Sequence, residues 1–263
     1  MGRMWRAALI AALMLVAGCA TAPSGQTPPG AVTLPHVGRF SGHPPGDALP
    51  AGWQPWLLSS FKRPTQYRLV SREGKTVVRA QARGSASGLV HPLALDPVAR
   101  PLLQWHWKVD GLIDKADNTQ KHLEDAPARL VVSFDGDVAK LPAQDRMFFD
   151  SVRILTGQQL PYATLMYIWE NRAPRESVII NEHTARIRMI VVESGRDRLG
   201  VWQEVTRNIV EDYRRAFGEE PGPVTAVGIM TDTDNTGDHA HAYYGDIAFR
   251  EAAPSAATAA AAR

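Results

Sequence analysis

The stretch "LLQWHWKV", residues 102–109, alternates large apolar residues with polar ones at a period of two. Leu103, Trp105, Trp107 and Val109 share one face of an extended chain, and Gln104, His106 and Lys108 share the other. A helix would scatter these residues around its axis, whereas a strand buries the tryptophans and presents the polar set outward. The tryptophans therefore read as core rather than as a sugar-stacking platform. The pattern recurs downstream. In "ARLVVSFD", 128–135, Leu130, Val132 and Phe134 are expected inward, with Arg129, Ser133 and Asp135 outward. In "ARIRMIVVE", 185–193, Ile187, Met189 and Val191 are expected inward, with Arg186 and Arg188 outward.

Working outward, further runs rich in Val, Ile, Tyr and Trp lie at 67–71, 76–82, 88–95, 163–170, 225–231 and 240–249, each bounded by Gly, Pro or Asp. A first edge strand is expected near 37–40. One helix is expected over 208–217, where Val205, Ile209, Tyr213 and Phe217 recur every four residues. Asn208 with Glu211 resembles a capping box, and Gly218 stops the helix. A second short helix is expected through "DRMFFDSVRIL". Many short strands with one or two short helices predict a mainly β fold, a two-sheet sandwich of jelly-roll or galactose-binding-like type.

The ends read differently. Arg3 and Arg6, the short apolar run 7–16 and "LVAGC" at 15–19 have the form of a bacterial lipoprotein leader, with Cys19 the residue to be lipidated. An apolar run this short does not suit a spanning helix. Residues 1–18 are thus expected to be removed, and 19–50, rich in Pro, Gly, Ser and Thr, to form a tether. A single domain is expected over 51–251, followed by a low-complexity Ala-rich tail at 252–263. Alanine after Cys19 favours the outer membrane, facing the periplasm. Cys19 is the sole cysteine, so no thiol is left for disulfides, catalysis or metal binding. Without Arg3 and Arg6 the 29 basic residues fall to 27, matching the 27 acidic ones. No basic run marks a nucleic-acid surface.

Four segments, "LLQWHWKVD", "EDAPARLVVSFDG", "NIVEDYRRAFGEEPGPVTAVGIMTDTDNTG" and "AYYGDI", together resemble a bacterial family known as domain of unknown function 3047. The resemblance runs in order over about 61–249 and implies no activity. "AYYGDIAF" also looks like the last strand of jelly-roll carbohydrate-binding modules, in which an acidic residue often helps to hold a structural calcium.

If the strands are neighbours, Gln104, His106, Lys108, Arg129, Arg186 and Arg188 form one polar face. Two readings stay open: a solvated surface, or a cation-rich cleft in which arginine forks meet an anionic or polyhydroxylated ligand. Gln104-Trp105-His106 also matches a Gln-x-His element of jelly-roll polysaccharide lyases. That resemblance would make His106 a base and Tyr244 an acid. No Arg-x-Glu-Leu-Arg or Tyr-x-Lys-x-Gly segment completes that family's site. A serine elbow and a phosphate loop are missing from the sequence.

The remaining motif is "TDTDNTGDHAHAYYGDIAFR", 231–250. It begins like a calcium loop, but Tyr243 stands where an EF-hand needs glutamate. A calcium site of another kind would use Asp232, Asp234 and Asp246. His239 and His241 give a fragment of a transition-metal pattern. The third reading is a turn shaped by Asp and Asn side chains bonded to nearby backbone, with Asp232 or Asp246 paired to an arginine. The function expected is non-catalytic binding of a glycan or other envelope polymer. A lyase-like enzyme acting on an anionic polysaccharide and a structural or interaction lipoprotein are the alternatives.

Overall fold

The computed structural model describes residues 36–252. The expected leader, Cys19, most of the tether and nearly all of the Ala-rich tail lie outside the described residues. The elements run β1 (His36–Gly38), β2 (Gln54–Leu57), β3 (Gln66–Arg72), β4 (Lys75–Arg83), β5 (Ala86–Leu95), β6 (Leu102–Val109), β7 (Arg129–Phe134), α1 (Ala143–Thr156), β8 (Ala163–Glu170), β9 (Val178–Ile180), β10 (Ile187–Ser194), β11 (Gln203–Asn208), α2 (Ile209–Phe217), β12 (Val224–Asp232) and β13 (His239–Arg250).

The strands form the two-sheet β-sandwich expected. Sheet A has the order β11-β6-β13-β4-β3, with β1 also paired to β13, and sheet B the order β2-β5-β12-β7-β8-β10-β9. Every pair is antiparallel except β8 with β10. The alternation in β6 does what it predicts: Leu103, Trp105, Trp107 and Val109 are fully buried between the sheets. Trp105 stacks at 5.1 Å on Tyr167 and Trp107 lies 6.3 Å from Trp169, both in β8 of the facing sheet. Such side chains, each stabilising by roughly 1.5–3 kcal/mol on burial, fasten the layers. Helix α2 adds Ile209, Val210 and Tyr213 to this core. The Asn208 carboxamide accepts from the Val210 and Glu211 N–H groups, and Gly218 ends the helix in the left-handed region at φ 72°.

The outer face of sheet B departs from simple alternation. Val131, Met166, Ile168, Met189, Val191 and Met230 make a second hydrophobic cluster there. Strand β8 is consequently buried along its whole length. With both faces apolar, parity loses its meaning, and the reading of 185–193 was inverted. Ile190 joins the central core, whereas Met189 and Val191 join the outer cluster.

Candidate functional site

Sheet A keeps one face polar, and local backbone features shape it. Opposite β6, Tyr244 pairs with Trp107 but Ile247 pairs with Trp105, so Gly245 and Asp246 together face His106. This β-bulge shifts the parity of β13 by one and turns Asp246 outward. A Cβ at Gly245 would sit 3.0 Å from that of His106, so any larger residue there would crowd the imidazole side chain. Asp246 accepts hydrogen bonds from the Ser41 backbone N–H at 2.8 Å and its hydroxyl at 2.5 Å. At the β3–β4 hairpin, Glu73 and Gly74 have φ of 50° and 78°, the mark of a type I′ turn. The turn sets Arg72 opposite Lys75. Arg72 donates to the Tyr243 hydroxyl at 2.6 Å and lies over its ring.

Trp202, just before β11, completes the enclosure, its ring 6.5 Å from that of Tyr243. Ser41, Arg72, Lys75, His106, Trp202 and Asp246 line a cavity of about 310 Å³. Beside it Glu204 accepts from Gln104 and lies 3.6 Å from the His106 ring nitrogen, and Lys108 donates to Glu73 at 3.3 Å. An aromatic plane, a guanidinium, an ammonium, an imidazole and the carboxylates of Glu73 and Asp246 thus converge on a concave space. Such a set can stack on an apolar ring face while donating to and accepting from hydroxyls around its rim.

Three of the six residues expected on one polar face are here: Gln104, His106 and Lys108. The other three are not, because they belong to sheet B. Arg129 is 1% exposed. It donates to both Asp232 carboxylate oxygens, at 2.8 and 3.1 Å, and to the Glu124 carbonyl at 3.0 Å. Its burial works against the charge, but Asp232 and Glu124 hold the guanidinium protonated, above its ordinary range. Burial pushes the Asp232 carboxyl up to about 6 against the pull of Arg129, with Asp125 adding to the rise. Arg186 donates to Glu219 at 2.6 Å and to the Tyr162 carbonyl, between the Tyr162 and Phe217 rings. Arg188 lies 5.7 Å from the Phe217 ring centroid. The expected six-residue face therefore does not form. Tyr244 is also misplaced for an acid partnering His106. It is fully buried on the inner face, donating to the Met230 carbonyl at 2.6 Å, and burial raises its phenol well above the usual range.

The calcium trio divides as well. Asp246 serves the sheet A cavity, and the carboxylate that joins Asp232 and Asp234 is Asp125, all three within 4.8 Å of one another. Each is already matched. Arg129 grips Asp232, and Lys62 reaches Asp234 at 2.6 Å. Asp125 accepts from the backbone of Asn235 and Thr236 and from the Thr236 hydroxyl. These residues do not fit a calcium cage, whose oxygens must be available to the ion. The turn reading describes them: Asp125 ties down the loop between β12 and β13. His239 bonds Asp238 and His241 faces Gln81, so the two do not converge with Asp246 on a metal.

Sequence reasoning missed Trp202, since β11 is short and polar, and did not apply parity to β4, whose Arg79, Gln81 and Arg83 also point outward.

The molecule defined by these features is a two-sheet β-sandwich with a polar cavity on one outer face. It belongs to the family described as protein of unknown function DUF3047, whose model matches residues 51–248. No curated protein sequence matches the chain. Among solved structures it is similar to a β-1,2-glucanase from Parabacteroides distasonis, at 13% identity and a TM-score of 0.36, over 79% of this chain and 24% of that one. It is also similar to the Endo-D glycoside hydrolase domain from Streptococcus pneumoniae R6, at 7% identity and a TM-score of 0.31, over 75% of this chain and 21% of that one. The chain thus spans about a quarter or less of these two proteins. Likeness of this degree assigns neither substrate nor activity.

Proposed function

We propose that the outer face of sheet A binds a glycan of the cell envelope without converting it. The observation that carries this is the half-buried Trp202 at a cavity rimmed by Arg72, Lys75, His106 and Asp246. An aromatic plane supplies apolar contact for a sugar ring at low entropic cost, and the rim supplies both donors and acceptors for its hydroxyls. Tyr244, the phenol that the lyase reading needs, is buried behind the sheet, and the Tyr243 hydroxyl on the outer face accepts from Arg72. Lipidation of Cys19 and an outer-membrane location facing the periplasm belong to this proposal, supported by the basic leader, the short apolar run and Gly18 before Cys19. The test is an envelope-glycan array probed with the purified full chain and its Trp202→Ala variant. The variant should melt as wild type does and lose binding about tenfold or more. Equal binding by both proteins would remove the cavity from the account.

A further inference from the structure

Away from the Trp202 cavity, the outer face of sheet A continues along β3 and β4 as a second feature. Strand β4 buries Val78, Ala80 and Ala82 inward and sends Arg79, Gln81 and Arg83 outward. Across the β3 ladder Arg68 stands directly opposite Arg79, and Gln66 opposite Gln81. Four surface depressions follow one another along this line. The first two share Arg68 and Arg79, the next pair Gln66 and Gln81, and the last pair Arg63 and Arg83. From Arg79 to Arg83 the track covers about 13 Å at the rise of an extended chain.

Its charge is poorly matched. Like charges directly opposite on a sheet repel. Arg68 has the exposed Asp47 at 2.8 Å. Among the described residues, Arg63, Arg79 and Arg83 form no ion pair, and the Arg79 Nε is buried without a hydrogen-bond partner. Asp238, at the wide end, is held by His239. A fold gains nothing from unmatched guanidinium groups in one line, whereas a ligand bearing regularly spaced anionic groups would satisfy them with forked hydrogen bonds.

We infer that this track binds a linear acidic polysaccharide, its carboxylates meeting Arg79, Arg83 and Arg63 while Gln66 and Gln81 bond its hydroxyls. The inference rests on the glycan reading above and names the class of that glycan. Single-stranded nucleic acid is also a polyanion, but grooves that hold it offer successive aromatic platforms for the bases. Here the residues between the arginines are glutamines.

The experiment is titration calorimetry of the full chain with three probes: alginate as a uronic-acid polymer, dextran as a neutral glycan, and oligo-dT. Wild type should bind alginate at least tenfold more tightly than dextran or oligo-dT, with affinity falling as salt rises. Arg79→Gln with Arg83→Gln should weaken alginate at least tenfold while leaving the melting temperature unchanged. Arg79→Lys with Arg83→Lys keeps the charge without the fork and should fall between. Dextran binding as tightly as alginate, with both variants unaffected, would overturn the acidic track and leave the glycan reading standing. Failure of both glycans would overturn the acidic track, and the Trp202→Ala array decides the glycan reading separately. Oligo-dT binding as tightly as alginate would replace the polysaccharide with a nucleic acid.

Discussion

Arginine serves opposite purposes in two regions of the molecule, the packed surroundings of α2 and sheet B and the open β3–β4 face of sheet A. At sheet B, Arg129 grips Asp232 and Arg186 grips Glu219, and on β11, the edge strand of sheet A beside α2, Arg207 grips both Asp212 and Glu176. On sheet A, Arg79 and Arg83 alternate with small apolar residues and meet no carboxylate among the described residues. The residue type is the same, and the difference lies in what a distant segment brings to it. A guanidinium enclosed with a carboxylate holds the fold, whereas one left in a groove is available to a partner.

The largest test of that contrast is truncation on each sheet. Arg129→Ala leaves Asp232 buried and uncompensated and should cost about 3–5 kcal/mol, read by chemical denaturation. Arg79→Ala should change stability by no more than about 0.5 kcal/mol. Comparable losses from both would erase the distinction.

A second test uses pH. The folded carboxyl of Asp232 titrates near 6 against an ordinary 3.8, so between those values the folded protein holds a proton that the unfolded chain releases. This group's contribution is complete below about pH 4 and declines as pH rises through 6, by roughly 1 kcal/mol per unit. The stability gap between wild type and Asp232→Asn should therefore narrow from pH 4 to 6.5. A gap that widens over that interval would show that Arg129 draws the carboxyl down instead.

The smallest effect is expected at the rim of the acidic cluster. Asp234 pairs with a Lys62 side chain that is 40% exposed, so Asp234→Ala should cost less than about 1 kcal/mol. Chelator should leave the melting curves of wild type and Asp234→Ala unchanged. A chelator-sensitive wild type would restore an ion to the loop.

These contrasts mark what the sequence could disclose. Strand β6 was legible because one of its faces is apolar and the other polar. The nine principal strands and both helices were legible for related reasons. Strands β2, β9 and β11 were not, being short and only partly buried, placed by the edges they join rather than by their own pattern. Arg129 looked like a surface residue because its partner lies 103 positions away. The side on which Asp246 emerges was not legible, because only the register around Gly245 reveals the bulge. Half of the polar face, Gln104, His106 and Lys108, was correctly read. Its complement was within reach, since Arg79, Gln81 and Arg83 alternate inside a strand the sequence already showed.

Arginine-selective modification with phenylglyoxal, followed by peptide mass spectrometry of the folded full chain, tests the central contrast most directly. Arg79 and Arg83 should be modified early and protected by bound alginate, while Arg129, Arg186 and Arg207 stay unmodified until the protein unfolds. Modification of Arg129 or Arg186 as fast as Arg79, or undiminished reaction at Arg79 and Arg83 in the alginate complex, would contradict the account.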